Sequence, residues 1–270
     1  MKLMWLTDLH LDRADDKNRK AFFNVLAKTN ADAVVITGDI SDAKFLPVHL
    51  LELGRALEPQ PVYFVLGNHD FHKSSFADVD RAVAVVCKEQ ANLRHLGHGE
   101  IVPLSNGVAL VGHRGWADGR AGWGARSVVH SPDHDLIGDF RGLSKRAVFG
   151  RMEELGRASG QYIREVLPYA LRCYEQVWMA THVPPFTWAA NYNGKPCGSH
   201  HLPHYSNLSA GCAIKGICKY FPKSRLTVLC GHTHSPARVR ISEQVQVLVG
   251  EARPGHPQVQ KVFEVSGETG

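Results

Sequence analysis

Short apolar runs, each closed by a polar turn, alternate along this chain with longer stretches of helical spacing. Lys2–Leu6 reads as a first strand, and Asp32–Thr37, rich in β-branched residues, as a second, buried one. A third, Val62–Leu66, ends at Gly67-Asn68-His69-Asp70, where Gly67 permits a sharp exit. Apolar residues at helical intervals predict helices over Lys17–Lys28, Pro47–Ala56 and Phe76–Glu89. This rhythm predicts βαβ units and a parallel sheet, with the polar exits on one edge, where open α/β sheets place ligands.

Farther on, Ile101–Leu104 and Val108–Gly112 flank Asn106-Gly107 and predict a hairpin. A helix is expected over Ser144–Tyr174, with Gly156–Gly160 and Pro168 as candidate breaks. Gln176–Ala180 and Leu226–Cys230 read as strands, and Arg238–Ile241, Val245–Val249 and Val259–Val265 as antiparallel ones. No repeat or linker interrupts the chain. A single domain over residues 1–270 is therefore expected, with irregular inserts near 113–149 and 183–222 covering a cleft.

Composition narrows the class. Hydrophobic content of 44% and charged content of 21% are those of a soluble globular enzyme. No apolar run approaches the roughly 20 residues of a membrane span. The N-terminus meets Asp8 too early for an export signal. None of the six cysteines forms a Cys-x-x-Cys pair, so reduced thiols in a cytoplasmic protein are expected. The net charge of +5 is scattered, which suits a small anionic substrate and argues against nucleic acid.

The chemistry lies at five strand exits: Asp8 with His10, Asp39, Asn68 with His69, His182, and His232 with His234. Mixed carboxylate and imidazole donors suit Mn, Fe or Zn. Asp-x-His and His-x-His spacings put both members of a pair on one side of an extended exit. These residues outnumber the ligands of one tetrahedral ion, whereas two ions sharing a carboxylate would use them all. His200, His201 and His204 read as solvated loop residues, and Trp116, Trp123 and Trp188 as loop anchors. His113 and Arg114 stand where they could face the cleft.

In this order, Asp8-Leu9-His10, Gly38-Asp39, Gly67-Asn68-His69-Asp70, Thr181-His182 and Gly231-His232-Thr233-His234 resemble the calcineurin-like metallophosphoesterase superfamily. The resemblance implies an α/β fold: a four-layer α/β/β/α sandwich of two mixed sheets with a dimetal site at the strand C-terminal ends. It implies that Asp8, His10 and His234 hold one transition-metal ion (Mn, Fe or Zn), that Asn68, His182 and His232 hold the other, and that Asp39 bridges them. A metal-bridging hydroxide would attack phosphorus. His69 would contact the phosphate and protonate the leaving oxygen, with Asp70 as its orienting partner.

The branches of the superfamily are distinguished by single residues. The Ser/Thr protein phosphatases carry an Arg that is missing after Gly38-Asp39-Ile40-Ser41-Asp42, and a Glu where this chain has Asp70. The lipid A pyrophosphohydrolases carry Arg in place of His69. The break-repair nucleases add a DNA-facing domain, for which residues beyond 234 have neither length nor basic density. A phosphodiesterase on small nucleotide-like substrates is the reading that remains. A phosphomonoesterase is the alternative, ahead of a nuclease or a catalytically inactive binding module.

Overall fold

The N-terminal region builds the strand–helix alternation that its pattern predicts. In the computed structural model, which describes residues 1–267, β1 (Lys2–Leu6), α1 (Asp16–Lys28), β2 (Ala33–Thr37), α2 (Leu46–Ala56), β3 (Val62–Val65), α3 (Phe76–Glu89) and β4 (Leu93–His95) follow in order. The four strands pair in parallel, each with the next. Side-chain oxygens start two of the helices: Asp15 accepts from the Asn18 N–H and Ser75 from the Asp78 N–H.

The remaining elements are β5 (Val102–Ser105), β6 (Val108–Gly112), α4 (Asp133–Leu136), α5 (Lys145–Cys173), β7 (Gln176–Ala180), β8 (Asn191–Tyr192), β9 (Lys195–Pro196), α6 (Leu202–Tyr205), α7 (Leu208–Cys218), β10 (Arg225–Cys230), β11 (Ala237–Arg240), β12 (Val245–Val249) and β13 (Val259–Glu264). Two large sheets result, ordered β13-β1-β2-β3-β4 and β11-β12-β10-β7-β6-β5. The tail strands are only partly antiparallel. β11 runs against β12, but β12 lies parallel to β10, and β13 leaves that sheet to pair antiparallel with β1.

Alternation along the strands sorts their side chains into layers. Leu3, Trp5, Val35, Tyr63 and Val65 pack against Leu110, Trp178, Ala180 and Leu229 between the sheets. Met4, Leu6, Val34, Ile36 and Phe64 pack toward α1, α2 and α3. Val177, Met179 and Val228 pack toward α5 and α7. This is the expected four-layer sandwich. Each fully buried Val, Leu or Phe contributes roughly 1.5–3 kcal/mol before chain entropy is counted.

Helix α5 does not break at Gly156–Gly160 or at Pro168; it runs unbroken over its 29 residues. The glycines serve close packing instead. A Cβ on Gly160 would stand 3.0 Å from the Ser209 carbonyl oxygen of α7, and one on Gly156 would clash with Asp118. Burial of Leu167, Ala170 and Leu171 on either side of Pro168 holds the last turns in place.

Candidate metal centre

The C-terminal ends of β1, β2 and β3 in one sheet meet those of β7 and β10 in the other. The turns that follow are contorted rather than extended. Asp8 (φ 48°), His10 (42°), Asp39 (53°), His232 (71°) and His234 (55°) all adopt left-handed backbone, and they are five of the seven such non-glycine residues described. Strain of this kind persists only where surrounding structure enforces it. Here the turns are stitched together: the Asp8 N–H donates to the Gly38 carbonyl and the His10 N–H to that of Asp39, both at 3.0 Å. Gly67 is needed for closeness, since a Cβ there would lie 2.6 Å from the Asp39 nitrogen and 2.7 Å from the His182 ring.

All seven expected ligand positions converge, in two groups that meet at Asp39. In the first, His10 Nε2 lies 3.0 Å from His234 Nε2, His234 Nε2 lies 3.4 Å from Asp8 Oδ1, and His10 Nε2 lies 3.7 Å from Asp39 Oδ2. One donor atom from each of these four residues falls within 4.8 Å of all the others. In the second, Asn68 Oδ1 stands 3.0 Å from His182 Nε2 and 2.9 Å from His232 Nδ1, and His182 Nε2 is 3.3 Å from Asp39 Oδ1.

The donor chemistry of both groups fits metal ions. Lone pairs of two imidazoles at 3.0 Å repel unless a proton or a cation lies between them, and two carboxylates line the same space. Outer hydrogen bonds hold the rings in the tautomers a ligand needs. His182 Nδ1 donates to the Thr37 carbonyl at 2.8 Å and His232 Nε2 to that of His204 at 2.8 Å, which turns the other nitrogen of each ring inward. The Asn68 amide nitrogen donates to Asp133 at 2.9 Å, which aims its oxygen at the two imidazoles.

Charge follows from this crowding. Burial alone would raise Asp39, but His182 and His69 outweigh it and hold its carboxyl well below the ordinary range. Burial alone would lower His182, but the Asp39 carboxylate outweighs it and holds the ring up to about 10. A cation entering here must displace that proton.

His69 lies at the mouth, 21% exposed, with Nε2 4.0 Å from Asp39 Oδ2. Its Nδ1 is 3.0 Å from the Arg13 guanidinium, and burial pushes the ring down to about 3. An Nδ1 that accepts from Arg13 leaves the proton on Nε2, facing the site. The expected pairing of Asp70 with His69 is corrected by the structure. Asp70 is fully buried and spends both oxygens on backbone: Oδ1 accepts from Ile40 (2.8 Å) and Ser41 (2.9 Å), and Oδ2 from Gly67 (2.8 Å) and Asp39 (3.0 Å). It ties the β2 exit to the β3 exit, and Arg13 takes the place beside His69.

Arg13, Asp133 and His72, which donates from Nε2 to Asp133 at 2.7 Å, are contributors that the sequence reading missed. Asp133 comes from the first insert, and no local pattern there marks it. His204 is buried rather than solvated, with its carbonyl supporting His232. Trp116 is a buried anchor, whereas Trp123 and Trp188 lie exposed. His113 and Arg114 face a separate cavity of about 640 Å³ that Asp80, His95 and Glu100 also line.

The sequence model of the calcineurin-like phosphoesterase family matches residues 1–142. The chain belongs to that family. It is accordingly a metal-dependent phosphoester hydrolase. The matched segment holds Asp8, His10, Asp39, Asn68 and His69, and the fold brings His182, His232 and His234 to them from outside it. Among solved structures, a dimetal phosphatase from Danio rerio is similar with a TM-score of 0.61 and 14% identity, over 96% of this chain and 90% of that one. TT1561 of Thermus thermophilus is similar with a TM-score of 0.51 and 15% identity, over 93% and 88%. At these identities the likeness is one of fold. No curated protein matches the chain. Among the described residues, no helix of this phosphoesterase is long and apolar enough to cross a membrane.

Proposed function

We propose that this phosphoesterase is a dinuclear phosphodiesterase of the cytoplasm acting on small, nucleotide-like substrates. The observation that carries the dinuclear reading is the placement of Asp39, whose Oδ2 faces His10 at 3.7 Å and whose Oδ1 faces His182 at 3.3 Å. Asp8, His10, Asp39 and His234 would hold one ion, and Asp39, Asn68, His182 and His232 the other. Nitrogen and oxygen donors without thiolate suit Mn, Fe or Zn. Bound there, such ions make water a stronger acid and neutralise phosphate charge.

The remaining chemistry belongs to the chain. His69 presents Nε2–H to the site, and Arg13 beside it adds a cation for phosphate oxygens. Protonating a leaving oxygen requires the ring to take a second proton from solvent, at Nδ1, which becomes possible once Arg13 turns from that nitrogen to the incoming phosphate. The inserts 113–149 and 183–222 would roof the cleft. They are joined by hydrogen bonds from the Trp123 N–H to the Ser199 carbonyl and from Ser127 Oγ to the His200 carbonyl. The diester preference rests on the five blocks from Asp8 to His234, whose pattern together resembles that of the cyclic-nucleotide phosphodiesterases. A phosphomonoesterase is the second reading, because Arg13 at the mouth would balance the extra charge of a terminal phosphate.

The test is elemental analysis combined with turnover of bis(p-nitrophenyl) phosphate and p-nitrophenyl phosphate. The wild type should hold two ions and favour the diester. Asp39→Asn should lose at least one ion and nearly all turnover. A variant that keeps both ions and full rate would rule out the bridge.

A further inference from the structure

A row of aromatic rings runs outward from the second ligand group. The Tyr205 ring centroid lies 5.1 Å from that of His232 and 5.8 Å from that of Tyr192. His201 stacks on Tyr192, with centroids 4.8 Å apart and planes 19° from parallel. All three rings of this row belong to the second insert. The outer ring is not an anchor in a core, for Tyr192 is 41% exposed.

The hairpin β8–β9 that carries Tyr192 is fixed over the metal-bearing turn. The Gly194 N–H donates to Ser235 Oγ at 3.2 Å, immediately after His234, and Asn191 Nδ2 donates to the Pro236 carbonyl at 3.5 Å. Lys195 stands opposite Tyr192 in the hairpin register. It is exposed and joins no ion pair among the described residues. Cross-strand partners share a face, so an unpaired cation flanks the rings. Aromatic faces leading away from a phosphate-hydrolysing centre, beside a free cation, suit an anionic ligand with a planar ring.

We propose that Tyr192, His201 and Tyr205 form a platform that stacks the base of a nucleotide whose phosphate sits at the metal centre. The inference rests on the nucleotide-like reading of the substrate above. Stacking uses the π-face that every base has, so the platform selects for a base without choosing among bases.

The experiment is calorimetric binding of adenosine 5′-monophosphate and ribose 5-phosphate to the manganese-loaded protein. The two ligands share a phosphate and differ by the ring. The wild type should bind the nucleotide about tenfold or more tighter, as stacking on an aromatic side chain provides. Tyr192→Ala should bring the two affinities close together, and Tyr192→Phe, which keeps the ring, should preserve the difference. Equal wild-type affinities, binding of neither ligand, or a preference that survives Tyr192→Ala in a protein with the wild-type melting temperature would overturn the platform. Diester turnover is measured separately. A protein that cleaves diesters but binds both ligands equally keeps the reaction and loses the platform. One that prefers the nucleotide but cleaves no diester does the reverse.

Discussion

Asp70 offers a sharp test, because a bracing role and a catalytic one predict different measurements. Its two carboxylate oxygens each accept two backbone N–H groups, drawn from Asp39, Ile40, Ser41 and Gly67. Asparagine at this position keeps one oxygen and turns an NH2 group toward two N–H donors. Two buried N–H groups then lose their acceptor, each at a cost of about 1–3 kcal/mol, so Asp70→Asn should cost about 2–6 kcal/mol. That is a large part of the stability of an ordinary domain. In a chain of this size it lowers the melting temperature by roughly 4–10 °C. Thermal unfolding of the metal-stripped protein, followed by circular dichroism, reads the cost directly. Because the Asp39 and Gly67 N–H groups are among the four donors, metal content of the reloaded variant should fall as well. An unchanged melting temperature with a slower reaction would refute the brace and restore Asp70 as the partner of His69.

Three further outcomes follow from the same geometry. His69→Ala should keep its metals but slow esters with alkoxide leaving groups about a hundredfold or more, with a much smaller loss on nitrophenyl esters; an equal loss on both would make His69 a phosphate contact and not the acid. Asp133→Ala should weaken the second ion about 10- to 100-fold in a metal titration, since it frees the Asn68 amide to rotate, and an unchanged affinity would exclude this role. Burial raises the Asp133 carboxyl, but His72 and Asn68 outweigh it and bring it to about 2. Its contribution is therefore complete above about pH 4 and is lost as the pH falls toward 2, so urea unfolding over that range should decline less steeply in Asp133→Asn than in the wild type.

The strand exits were legible because each ligand stands just past an apolar run, and that contrast survives in the linear pattern. What was illegible depends on distance along the chain. Asp70 sits next to His69 in sequence, yet its hydrogen bonds reach residues about thirty positions back. Asp133 supports Asn68 from 65 residues away, within an insert whose pattern predicts nothing. Helix α5 ignores its glycines and proline because packing on α7 outweighs local propensity. β4 escaped notice because two of its three residues are Arg94 and His95. β13 alternates as a strand should, but alternation does not say which neighbour it will join.

The crossing of β13 to β1 has a consequence during synthesis. β1 leaves the ribosome well before β13, and β2 soon covers one of its edges. The other edge, with its free row of N–H and C=O groups, waits for residues 259–264. Throughout that interval the nascent chain presents an apolar strand edge to whatever it meets, including β1 of another copy. Expression from polysomes crowded with this message should therefore be limited by aggregation more than by folding speed, and a chaperone that shields the strand edge should raise the soluble yield.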